Sequence, residues 1–113
     1  MNFFRVFLNK PINEKLFCYT LNSKEAMNIE PDTNNYFTGE AEEVTVLEAS
    51  EYYVVQFQKN GLEGQELLDT AVELQKEALW NRYKLENKLY LRKFTGDNSL
   101  KIQLWRPIIL PDH

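Results

Sequence analysis

Hydrophobic and polar positions alternate along much of this chain, and the alternation predicts a mostly β protein with one long helix. Asn2–Leu8 is rich in β-formers (Phe3, Phe4, Val6, Phe7) and reads as a strand closed by Asn9-Lys10-Pro11. Leu16–Leu21 reads as a second strand, joined to the first as a hairpin through a longer loop. Ser23 has the chemistry of a helix N-cap, and the short helix it opens must stop before Pro31, which disfavours helical backbone at Glu30. Glu30–Glu43 collects Pro31, Asp32, Asn34, Asn35 and Gly39 and reads as a loop, with Tyr36 and Phe37 in its middle.

Val44–Glu48 and Tyr52–Gln58 read as another hairpin around Ala49-Ser50-Glu51, ended by Asn60-Gly61. From Leu62 to about Lys84 the period changes to that of a helix. Leu67, Leu68, Ala71, Val72, Leu74, Ala78, Leu79 and Tyr83 fill about half the circumference, with Glu66, Asp69, Glu73, Lys76, Glu77 and Lys84 mostly opposite. Residues 87–94 fit either a continued helix or a strand. The turn chemistry of Thr95-Gly96-Asp97-Asn98 favours a hairpin of Lys88–Phe94 with Leu100–Trp105. Pro107 and Pro111 make 106–113 an extended C-terminal tail. The expected fold is therefore α+β: an antiparallel sheet of about five or six strands built from hairpins, one face covered by a long amphipathic helix. A length of 113 residues suits a single domain, 1–113.

Composition narrows the setting. The chain is 43% hydrophobic and 13% aromatic, enough for a packed core, so a disordered chain is not expected. No apolar run is long enough to span a bilayer, and residues 1–8 lack the basic start and cleavage site of a secretory signal. A lone cysteine, Cys18, cannot form an internal disulfide, which points to a reducing, cytoplasmic setting.

Charge is unevenly placed. Twelve acids and a single base, Lys59, lie between Glu25 and Glu73, whereas eight bases and three acids lie between Lys76 and Arg106. Such a division, if it survives folding, gives an acidic side and a basic side that steer partners.

Catalytic chemistry finds few parts. The lone histidine is His113, the last residue, so no nucleophile–base pair is expected there. Cys18 sits mid-strand between Phe17 and Tyr19, where a buried, inert thiol is expected. There is no Cys-x-x-Cys and no histidine pair for zinc. Asp32–Glu43 has the end acids of a twelve-residue calcium loop, but Tyr36 replaces an oxygen ligand and Phe37 the required glycine. The four glycines, including Gly61 and Gly64, form no phosphate cradle. Neither an enzyme nor a metal or cofactor site is expected.

Binding remains. Aromatics among carboxylates suit an interface, so the expected function is a non-enzymatic protein-binding module, of adaptor, inhibitor or immunity type, that docks a basic partner. Its interface would be Tyr36, Phe37, Glu40, Glu42, Glu43, Glu48 and Glu51. The alternative is a nucleic-acid-binding domain using Trp80, Arg82, Lys84, Lys88, Arg92 and Lys93, where cations hold phosphates and aromatic faces stack bases. An overall pI near 5.0 weighs against that alternative. Ile108, Ile109 and Leu110, set between prolines, form a third candidate surface, one that would join copies of the chain.

Overall fold

The computed structural model describes residues 1–57 and 64–111. The expected strand break at Asn60-Gly61, the start of the helix at Leu62 and His113 lie outside the described residues. Among the described residues, six strands and one α-helix follow one another: β1 (Asn2–Phe7), β2 (Ile12–Leu21), β3 (Phe37–Leu47), β4 (Glu51–Phe57), α1 (Gln65–Trp80), β5 (Lys88–Gly96) and β6 (Ser99–Pro107). Two 3-10 turns, Glu25–Met27 and Thr33–Asn35, lie between β2 and β3. All strand pairs are antiparallel, in the order β1-β4-β6-β5-β2-β3. The fold is a compact α+β arrangement of one sheet and one helix.

Two of the expected hairpins do not form. β1 pairs with β4 instead of β2, and β3 pairs with β2 instead of β4, while β5 and β6 do pair as neighbours. A flat sheet would place β3 and β4 four strand spacings apart, roughly 19 Å. The three residues 48–50 that join them reach at most about 14 Å. The sheet must therefore be strongly coiled, bringing distant strand ends together. Two register shifts in the β2–β3 pair mark where that pair bends.

Alternation along the strands gives the sheet two apolar faces. On one, Tyr53, Val55, Leu89, Leu91, Ile102 and Leu104 share a cluster with Leu67, Ala71, Leu74 and Ala78 of α1. On the other, Tyr52, Val54 and Trp105 cluster with Leu16 and Leu47, and with Phe4, Val6 and Val44 packed against them. This second cluster joins strands that are far apart in the sheet order, as a coiled sheet requires.

The helix is shorter than its apolar period suggests. Arg82 adopts a left-handed backbone (φ 67°), the Arg82 amide donates to the Leu79 carbonyl, and the Tyr83 amide donates to that of Ala78 (both 2.9 Å). That is a Schellman ending with arginine where glycine is usual. The chain then leaves the helix axis, and 88–96 is free to pair as β5. The predicted loop over 30–43 is strand from Phe37 onward, and the predicted tail begins later, because Arg106 and Pro107 still belong to β6.

Candidate functional site

β3 occupies one edge of the sheet and, among the described residues, pairs only with β2. A strand in that position leaves a row of backbone donors and acceptors unpaired. Thr38, Glu40, Glu42, Glu43 and Thr45 are all exposed along it. Glu42 lies opposite Cys18 and Glu43 opposite Phe17, so these two acids project from opposite faces of the sheet. What the acids have in common is the edge itself. Gly39, at φ +69°, lies where three β3 residues, 39–41, stand against Tyr19 alone, a local irregularity that suits glycine. Glu43 pairs with Lys15 (3.1 Å), whereas Glu40, Glu42 and Glu48 form no ion pair among the described residues.

Not all of the predicted interface belongs to this edge. Tyr36 is 0% exposed and cannot anchor a partner. Its hydroxyl donates to Gln75 Oε1 (2.7 Å) and accepts from Arg106 Nη1 (3.3 Å). Burial pushes that hydroxyl up to about 12, with the Arg106 charge opposing the rise. Phe37 is half-buried, its ring 5.2 Å from that of Tyr19 and 5.1 Å from that of Tyr36. The two aromatics pin the β2–β3 connection to the core. Glu51 stands on β4, where Arg5 Nε donates to Oε2 at 3.0 Å. Glu48 follows β3 directly, and its carbonyl accepts from the Tyr52 hydroxyl (2.6 Å). The structure therefore gathers Glu40, Glu42 and Glu43 on one edge with Glu48 beyond its end, and leaves out Tyr36 and Glu51.

The basic set is also divided. Trp80 is 79% exposed at the end of α1, lining a cleft of about 380 Å³ with Ile29, Lys76 and Glu77. Arg82 and Lys84 follow it closely on the surface. Lys88 opens β5, and Arg92 and Lys93, as neighbours on that strand, project from opposite faces. Arg92 is held against Glu14 (Nε–Oε1 2.6 Å) and lies over the Phe94 ring at 4.3 Å. No continuous stripe of cations and aromatics results from these six residues.

The tail docks on its own chain. Ile108 is buried, bridges to Leu85 and donates its amide to the Glu51 carbonyl (2.9 Å), and the Ile109 amide donates to the Lys84 carbonyl (2.7 Å). Those contacts remove Ile108 from any surface between copies and leave Ile109 and Leu110 exposed. Other candidate ligands serve the fold. Asp32, first of the calcium-like acids, accepts from the Asn34 amide (3.0 Å) and from Asn35 Nδ2 (2.8 Å). Cys18 is half-buried and desolvation raises its thiol above the ordinary value, the direction opposite to that of a reactive thiol.

A buried polar network was missed by residue-by-residue reading. Arg106 is 0% exposed. Its guanidinium donates to Gln75 Oε1 (2.9 Å), Tyr36 Oη and the carbonyls of Ala26 and Glu86. Gln75 Nε2 in turn donates to the Glu25 carbonyl (2.8 Å) and that of Asn28. The Glu25 carboxylate accepts from the Asp32 amide (2.6 Å). The network ties both 3-10 turns to α1 and β6, and so fixes where β3 starts. Its signal is in the sequence: Arg106 continues the apolar row Leu100, Ile102, Leu104, and Gln75 sits one helical turn from Ala71 on the apolar stripe.

No protein-family model, curated protein or solved structure matches this chain.

Proposed function

We propose that this protein is a binding module that receives a basic partner protein along the β3 edge. The observation that carries the reading is the run Glu40, Glu42 and Glu43 on an edge strand whose outer backbone groups have no partner among the described residues. An edge of this kind supplies two kinds of recognition at once. Its amides and carbonyls offer main-chain hydrogen bonds to an added segment, and carboxylates on both faces select a positively charged one. Of these acids Glu43 alone is paired among the described residues, to an exposed lysine, and surface pairs of that kind hold only weakly. Glu48 extends the acidic run past the strand.

A partner captured from native lysate by the immobilised protein tests the reading. The variant Glu40→Gln/Glu42→Gln/Glu43→Gln is expected to bind that partner at least tenfold more weakly, mainly through slower association. Its affinity is also expected to vary less with salt than that of the unaltered protein. Equal binding by the two proteins contradicts the proposal. So does retention of nucleic acid that depends on Trp80 and Arg82.

A further inference from the structure

The sheet has a second edge, β1, and it is built differently. Leu8 donates its amide to the Ser50 carbonyl (2.8 Å), continuing the register in which Phe7 faces Glu51. In an antiparallel pair the residues that bond the neighbour alternate with those that do not. Asn2, Phe4 and Val6 therefore turn their backbone groups toward β4, and Phe3, Arg5 and Phe7 turn theirs outward. The usual protections of an open edge are missing from β1: it has no proline, no lysine and no glycine. Its single charge, Arg5, is held by Glu51. Phe7 is 63% exposed and Met1 is 69% exposed.

We infer that β1 pairs antiparallel with β1 of a second copy, joining two sheets edge to edge about a two-fold axis. The sequence of the strand selects the register. With the axis at Phe4, Phe3 faces the partner copy's Arg5, Asn2 faces its Val6 and Met1 faces its Phe7. Every outward residue then meets an outward residue, and the two arginines do not face each other. Axes at Phe3, Arg5 and Val6 also match outward residues, but an axis at Arg5 sets the arginines opposite, an axis at Phe3 leaves Phe7 without a partner, and an axis at Val6 leaves Phe3 without one in β1. Charge excludes the competing edge: two β3 strands would bring Glu40, Glu42 and Glu43 of each copy together. Contact of β1 with β3 is attractive, but it is head-to-tail and does not close. A two-fold β1 pair leaves the acidic β3 edge of each copy open, so the pairing is independent of the function proposed for that edge.

Sedimentation velocity over a range of concentrations, at low and high salt, tests the pairing. The expected result is a monomer–dimer equilibrium that tightens as salt rises, because each copy carries a formal net charge of -4 and screening relieves their repulsion. Phe7→Glu and Phe7→Lys are each expected to raise the dimer dissociation constant at least tenfold with an unchanged circular dichroism spectrum. Agreement between opposite charges shows that the strand, and not the sign of charge, is at issue. Glu40→Gln/Glu42→Gln is expected to leave the dimer intact. A monomer at every concentration overturns the inference, as does a Phe7 variant that dimerises like the parent. Assemblies that grow past the dimer and weaken with salt overturn it in favour of a β1–β3 contact.

Discussion

Arg106 brings a full positive charge into the interior and forms no ion pair with a carboxylate among the described residues. Five N–H groups reach four neutral partners: the carbonyls of Glu86 and Ala26, the side-chain oxygen of Gln75 and the Tyr36 hydroxyl. Desolvation lowers its affinity for a proton, and the Tyr36 hydroxyl partly offsets that. Such a group is costly to place and more costly to remove, since its partners are then left without a donor. Arg106→Ala is expected to destabilise the protein by about 3–5 kcal/mol. Arg106→Lys should recover little of that loss, because an ammonium cannot match the planar fork. Urea unfolding monitored by Trp105 fluorescence measures both; a loss below about 1 kcal/mol for Arg106→Ala would show that the network is incidental. The same residue shows what sequence reading can miss. Its parity on the strand places it in the core row, but its charge and the following proline suggest a tail. Tertiary hydrogen bonding decides between the two, and no local rule represents it.

Among the elements, those with a strong period were legible. The core face of α1, the strand content of β1, β2, β4 and β6, and the turn at Asp97-Asn98 all follow from spacing and turn chemistry. That turn has both central residues at positive φ, as a two-residue hairpin requires. Strand partners were not legible, because a short connection between two strands fits a hairpin and fits equally well two ends brought together by a coiled sheet. The second part of β3, Val44–Leu47, reads as strand from the sequence, whereas its first seven residues, Phe37–Glu43, read as loop; glycine and glutamates are poor strand formers in general, but at a sheet edge, where solvent reaches both faces, they are tolerated. The helix end illustrates a local cost that the fold accepts. Arg82 holds a left-handed backbone that glycine adopts without strain. Arg82→Gly is expected to stabilise the protein by about 0.5–1 kcal/mol in thermal or urea unfolding. A loss of stability would mean that the exposed arginine side chain makes a contact of greater value than the relief of its backbone.

On the scale of the whole molecule, the division of charge along the chain survives folding only in part. Arg92 is paired with Glu14, Lys101 with Asp97 and Arg5 with Glu51, and Arg106 is enclosed by neutral groups. What persists is local: an acidic strand edge at β3, and a cluster of exposed bases and Trp80 around the end of α1. The binding proposal depends on the first of these. Its most direct test is amide hydrogen exchange of the protein alone and with its captured partner. The expected result is slowed exchange concentrated in Phe37–Leu47 on the outward-facing amides, with residues 80–88 unchanged. Protection confined to the end of α1, with β3 exchanging as in the free protein, would contradict it.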